Sequence, residues 1–339
     1  MNPFNNYLDK FGSNFLVAAM IPSLGLVVAC MLVFEPILHI SGSFQITTGI
    51  YSLLGISLLV LIPTVIIGYT LTALNTFILK IFEGYVLLHR LPFLVDSHAR
   101  KATKLLREHE EILNNIIFLE EKRRKTKAEK ALLAELKDKY FDKVSEYDQN
   151  YPPPSAGFMP TKFGNILKAS ESYPNTRYGI DAVEFWPRLL HVIPLSYKQN
   201  IDEARNELSF LVNMSALSLV FYIFCIIAIF ASPPSLIAPD WNTFLSNSFR
   251  YIFAGLIALA SNWFFNKAAL FSVGGYGAMI RSAYDLFRLD LLEHLRLQTP
   301  RNSDEEFYIW KNLGELVDLG RESIEFKPLT YKKKAAQKQ

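Results

Sequence analysis

From Gly49 to Leu79 the chain runs without one Asp, Glu, Lys or Arg. A helix needs about 20 apolar residues to cross the hydrocarbon core of a bilayer, and this run exceeds that. Three further segments meet the same test. Phe15–Phe34 and Leu208–Ala231 are uninterrupted. The weaker Tyr251–Asn266 is bracketed by Arg250 and Lys267, whose long side chains can reach opposite interfaces. Phe15–Phe34 has the length of a full span and lacks the charged start and small-residue cleavage site of a signal peptide. Pro22 and Pro63 sit mid-span, where each can kink its helix.

The 339 residues are half hydrophobic, with a mean hydropathy of +0.17. The apolar residues gather in the four blocks, and a charged region separates the second from the third. That distribution is the mark of a multi-pass membrane protein with a soluble insertion. Orientation follows from Lys and Arg. The Glu35–Thr48 and Ser232–Ser248 loops hold neither, whereas the middle region and the C-terminal segment are rich in both. The positive-inside rule then places both termini and the middle region in the cytoplasm.

The expected fold is all-α, an integral membrane protein with four transmembrane helices, a cytoplasmic helical hairpin and a juxtamembrane collar. Residues 1–95 form a first transmembrane hairpin, with spans at about 15–34 and 49–79 and a cytoplasmic extension. Residues 96–150 form the cytoplasmic hairpin, and 151–205 a Pro-rich strap and the collar. Residues 206–296 form the second transmembrane hairpin, with spans at about 208–231 and 250–267. Residues 297–339 carry a last helix and a basic tail.

Local signals fill in this plan. The second span continues past the bilayer as an amphipathic helix until Pro92 breaks it, and Asp96-Ser97 offers an N-cap for the next helix. Leu105, Leu106, Ile112, Ile116, Ile117 and Leu119 make one apolar stripe. Leu132, Leu133, Leu136, Tyr140, Phe141, Val144 and Tyr147 make another. The two predict an antiparallel hairpin of coiled-coil type with its tip near Arg123–Lys127. Arg123, Arg124, Lys125 and Lys127 are a candidate basic contact for an acidic partner, anionic lipid or nucleic acid. A solvated turn is the preferred reading.

Three successive prolines, Pro152 to Pro154, predict an extended strap. Thr161 can cap a short helix ending near Tyr173-Pro174, with Gly179 in the turn that follows. Pro187 kinks or restarts the helix after it, and Ser196 can cap the long helix leading into the third span. Ser303 and Glu306 make a capping box for the last helix.

Little in the chain points to chemistry. The six histidines show no metal-ligand spacing, and Cys30 and Cys225 both fall within predicted spans. Asp96 and His98 lie close but have no nucleophile beside them. The string SVGGYG, Ser272–Gly277, is like a potassium selectivity filter, but it has no pore helix before it; a glycine hinge or tight helix crossing is expected. No cofactor is expected.

The densest polar stretch is Phe163–Leu189, FGNILKASESYPNTRYGIDAVEFWPRL. Asn165, Arg177, Asp181, Glu184, Trp186 and Arg188 are its candidate residues. One reading is a cleft holding an anionic ligand on Arg177 and Arg188. The preferred one is a collar, in which those arginines pair with carboxylates, Asp181 and Glu184 first, and Trp186 anchors at the head-group level. The pattern FGNxL…Y…RYGxDxxxxWPRL resembles a segment of uncharacterised bacterial multi-pass inner-membrane proteins. The resemblance implies a bacterial inner-membrane setting and no activity. The function expected first is non-enzymatic assembly, scaffolding or signalling through the cytoplasmic helical module. A homo-oligomeric channel or transporter comes second, with Asn75, Asn213 and Asn262 as polar lining. A membrane-bound enzyme using the collar comes third. The expected partners are the lipid bilayer, further copies of the chain and a cytoplasmic protein on the hairpin, rather than nucleic acid.

Overall fold

A computed structural model describes residues 15–35, 50–86, 88–231, 241–320 and 328–331. Among them the protein is all-α, and four helices are long and apolar enough to cross a membrane. The predicted loops at 36–49 and 232–240 and the tail at 332–339 lie outside the described residues. The helices are α1 (Leu16–Val33), α2 (Ile50–Glu83), α3 (Pro92–Glu121), α4 (Lys127–Asn150), α5 (Lys162–Tyr178), α6 (Ala182–Leu189), α7 (Leu195–Ala231), α8 (Trp241–His294) and α9 (Ser303–Leu319). The chain divides into two compact units, one of residues 1–80 and 202–272, the other of 81–201 and 273–339.

The first unit holds the apolar segments. Two small clusters form its interior, Phe34, Phe221, Cys225, Ala228, Tyr251 and Ala258 in one, Ala19, Leu71 and Leu217 in the other. Many large apolar side chains, such as Ile62, Ile66, Ile227 and Phe253, face outward, as a span in lipid requires. Several polar groups inside are paired within the bundle. The Asn262 amide donates to the Ser215 carbonyl at 2.8 Å, and the Asn213 amide to the Ala18 carbonyl at 2.8 Å. α1 begins with a π turn, Leu16–Met20, directly before Pro22. α2 passes through Pro63 unbroken.

The second unit has the larger core. Phe185, Leu189, Tyr284, Leu292, Trp310 and Leu313 are buried in it. α3 and α4 pair antiparallel. Glu120 meets Lys137, His109 meets Tyr140, and His98 meets Tyr151, so one number falls as the other rises. The seam is thin: in α3 only Ala102, Ile116 and Leu119 are buried, and in α4 only Tyr147.

Several helix ends differ from the sequence expectation. α2 stops at Glu83 rather than running to Pro92, because Gly84 adopts a φ of 94°. α3 starts at Pro92 itself, so Asp96 and Ser97 lie inside it and cap nothing. Proline suits a first helical position, where its missing N–H costs nothing. α5 continues over Pro174 to Tyr178, where Gly179 (φ 78°) ends it with its N–H on the Asn175 carbonyl. α7 begins at Leu195, before Ser196. α9 is capped by Asn302, whose side chain accepts from the Glu305 N–H at 2.8 Å, while Glu305 accepts from the Arg301 N–H at 2.6 Å. Asn302 and Glu305 thus take the capping places expected of Ser303 and Glu306, and Glu306 is drawn away to Arg288. The SVGGYG string lies inside α8, so its carbonyls belong to a helix and line no filter. Nor is it a hinge. Gly277 makes the tight crossing, since a Cβ there would strike the Ser170 hydroxyl.

Candidate functional site

The polar stretch is built on a latch. Asn165 is fully buried. Its Oδ1 accepts from the Met159 N–H at 2.9 Å, and its Nδ2 donates to the Met159 and Thr161 carbonyls, each at 2.7 Å. One amide therefore ties the strap to the first turn of α5. Thr161 caps α5 by accepting from the Gly164 N–H at 2.9 Å. Its hydroxyl is also within reach of the Phe82 and Glu83 carbonyls, at 2.7 and 2.9 Å, which satisfies the open end of α2. Gly164 lies so close to the Glu83 carbonyl that no side chain fits. Asn165 is a structural residue, not a ligand group.

The other five candidates do not converge. Asp181 is the exposed N-cap of α6, accepting from the Glu184 N–H at 3.0 Å. Arg188 donates to the Glu184 backbone carbonyl at 2.9 Å and lies over the Phe185 ring. Arg177 lies over the Tyr173 ring. Among the described residues neither arginine forms an ion pair with Asp181 or Glu184, so the expected collar pairs are absent. Capping claims the Asp181 carboxylate first, because the N–H groups at a helix start have no partner of their own. Glu184 has one carboxylate oxygen buried without a hydrogen bond. Burial raises its pKa, and Asp318 and Asp181 add to the effect. Trp186 is half-buried at the edge of the second unit's core. α6 keeps its helical path through Pro187, which puts Ala182, Phe185, Trp186 and Leu189 on one face. Trp186 packs on Tyr284, ring centres 6.0 Å apart.

The ion pairs form elsewhere. α8 presents Arg281, Asp285 and Arg288 at helical spacing. Tyr178 donates to Asp285 at 2.6 Å, and Tyr173 reaches both of its oxygens at 3.1 Å. Burial raises the pKa of both tyrosines, and Asp285 raises it further. Arg288 stacks on the Tyr178 ring at 3.9 Å, pairs with Glu306 at 2.8 Å and donates to the Asp285 backbone carbonyl. Arg281 donates to Ser170 at 2.9 Å and borders a 280 Å³ pocket with Asp148, Gln149 and Tyr173. The spacing of four and three along RSAYDLFR was the available signal; the sequence reasoning passed over it because the string extends an apolar helix.

The basic tip is partly used up. Lys125 donates to the Glu120 and Lys122 carbonyls at 2.9 and 3.1 Å, closing the C-terminus of α3. Lys127 opens α4 behind a capping box of Thr126 and Glu129. Lys122 pairs with Glu129 and, ahead of the backbone bond to Thr126, pulls its carboxyl down to about 2. Arg123 and Arg124 are exposed. Along the hairpin, Ile117, Phe118, Leu132 and Phe141 are exposed as well, Phe141 at 68%. Among the described residues no group of acids, cysteines and histidines could hold a metal ion.

Comparison of the chain with protein-family models, with curated proteins and with solved structures found no match.

Proposed function

We propose that this is a non-enzymatic assembly protein of a bacterial inner membrane, with both termini in the cytoplasm, and that the α3–α4 hairpin is its docking surface. One observation carries this reading: the hairpin's burial is unfinished. Two antiparallel helices share a single seam, and here that seam leaves Ile117, Phe118, Leu132 and Phe141 in view. Apolar residues left outside a two-helix arm are covered when further helices complete a bundle. The occupant we assign is the same arm of a second copy. Arg100, Lys101, Lys104 and Arg107 make one stretch of α3 basic, and Glu110, Glu111, Glu120 and Glu121 make the stretch after it acidic. Each arm thus carries both signs, and two can meet without net repulsion. The setting rests on the Lys and Arg asymmetry and on the FGN…WPRL resemblance.

Mass measurement of the full chain in nanodiscs tests this. The wild type should be a dimer or larger. Phe118→Glu with Phe141→Glu should give monomers that stay folded, since both side chains are exposed within one copy. A monomeric wild type overturns the reading, as does an oligomer that survives both changes. A monomer that captures a different helical protein through Phe118 would keep the docking surface and reject the second copy.

A further inference from the structure

The first unit contains a polar cavity that the docking function does not use. It measures about 370 Å³ and is bordered by Ala18, Asn75, Asp202, Arg205, Ser209 and Asn213, among others. That volume falls in the range of small-ligand pockets, about 300–1,000 Å³. Its walls come from the first turn of α1, the last turns of α2 and the early turns of α7. These are the matching ends of three apolar segments, so in a bilayer the cavity lies near head-group depth.

Two buried oxygens in its lining have no partner. Asn213 is only 2% exposed. Its Nδ2 is committed to the Ala18 carbonyl, which fixes the amide's orientation and leaves Oδ1 unpaired. Asn75 turns its Nδ2 toward Ser209 at 3.4 Å and likewise leaves a buried Oδ1 without a donor. An unpaired buried acceptor destabilises the fold, and a donor entering the cavity recovers that loss. Arg205 borders the same cavity. It brings a permanent cation and up to five donors, and no acceptor. The inner lining therefore asks for N–H donors, and the arginine for an anion.

We propose that this cavity binds a zwitterionic head group carrying a primary ammonium and a phosphate, the ammonium on the Asn75 and Asn213 oxygens and the phosphate on Arg205. A quaternary ammonium has no N–H to give, and a glycerol head group has no cation. The site therefore discriminates among lipids by hydrogen bonding rather than by charge alone.

The test uses the delipidated full chain in detergent. Phosphatidylethanolamine, phosphatidylcholine and phosphatidylglycerol are added separately, and water-soluble glycerophosphoethanolamine in a fourth arm. Native mass spectrometry counts bound molecules, and thermal midpoints are recorded. Phosphatidylethanolamine should bind at least about tenfold tighter than the other two lipids, the scale of one charge-assisted hydrogen bond. Asn75→Leu and Arg205→Gln should each abolish that preference while the lipid-free chain stays folded. Asn213 is left intact because it also holds Ala18. Binding of the soluble compound at similar affinity would show that the head group alone suffices; its failure to bind beside a positive lipid arm would assign the site to membrane lipid. Equal retention of all three lipids overturns the proposal, as does a preference that survives both substitutions.

Discussion

The amide of Asn213 donates to the carbonyl of Ala18 at 2.8 Å. Pro22, four residues on from Ala18, has no N–H to offer that oxygen. The proline that disturbs α1 and the asparagine buried in α7 are thus two halves of one arrangement. Asn213→Leu should lower stability by about 1–3 kcal/mol, because a buried carbonyl loses its donor. Adding Pro22→Ala supplies a backbone donor in its place. The double variant should lose less than Asn213→Leu alone, as read from thermal midpoints in detergent. Strict additivity would show that the two residues are uncoupled.

Arg288 and Glu306 make the ion pair that the sequence assigned to other residues. Their side chains are 17% and 10% exposed. Arg288→Ala should cost about 3 kcal/mol, leaving Glu306 and Asp285 without their cation. Replacing Arg288 and Glu306 together by Met and Gln should cost less than the two single changes combined. Arg177→Ala and Arg188→Ala, both at exposed sites, should stay within about 0.5 kcal/mol of wild type. Unfolding curves of these variants check this ranking.

Glu171 sets a pH dependence. Burial raises its pKa from 4.5 to about 7, and Glu83 adds to the shift. The folded state holds this proton more tightly than the unfolded chain. The group's contribution is therefore fully present below about pH 4.5 and is lost as pH rises to about 7. The loss amounts to about 3 kcal/mol at most. Glu171→Gln should flatten this slope and leave the protein more stable than wild type at pH 8. Thermal midpoints from pH 5 to pH 8 would reveal it, and parallel curves for the two proteins would contradict it.

The glycines of SVGGYG should behave in opposite ways. At Gly275 an added Cβ meets nothing within 4 Å. Gly275→Ala should raise stability by about 0.5–1 kcal/mol, the helix-propensity gain. At Gly277 the same Cβ meets the Ser170 hydroxyl and its Cβ. Gly277→Ala should cost about 1–3 kcal/mol through overpacking. Ser170→Gly would relieve that clash but would also remove the acceptor of the Arg281 bond. A ranking of Gly275→Ala above wild type and wild type above Gly277→Ala is the expected result.

How far the sequence reached depended on how local each signal was. The four spans, the hairpin helices and the Thr161 cap could be read directly, because an uncharged run, a helical stripe and a capping hydroxyl act within their own segment. The end of α2 could not. Glu83 and Gly84 carry a weak stop signal, and the stop takes effect because Thr161, 78 residues away, accepts the role of partner to the last carbonyls. The candidate site failed for the same reason. Arg177, Arg188, Asp181 and Glu184 stand close in the chain and looked like partners, but capping claimed Asp181 and ring stacking the two arginines.

By itself, then, the sequence determined that this chain is all-α and that four of its helices suit a bilayer. Apolar length and helical periodicity are sums over neighbouring residues, so they can be read without knowing any distant contact. Only the tertiary structure decided which charges pair and which polar groups stay unpaired. Arg288 could have met any acid in the chain, and it met Glu306 because α9 packs its Trp310 face into the same core as Phe185 and Tyr284. The Asn75 and Asn213 oxygens were left without donors because the helices around them offer none at the distance and angle a hydrogen bond requires.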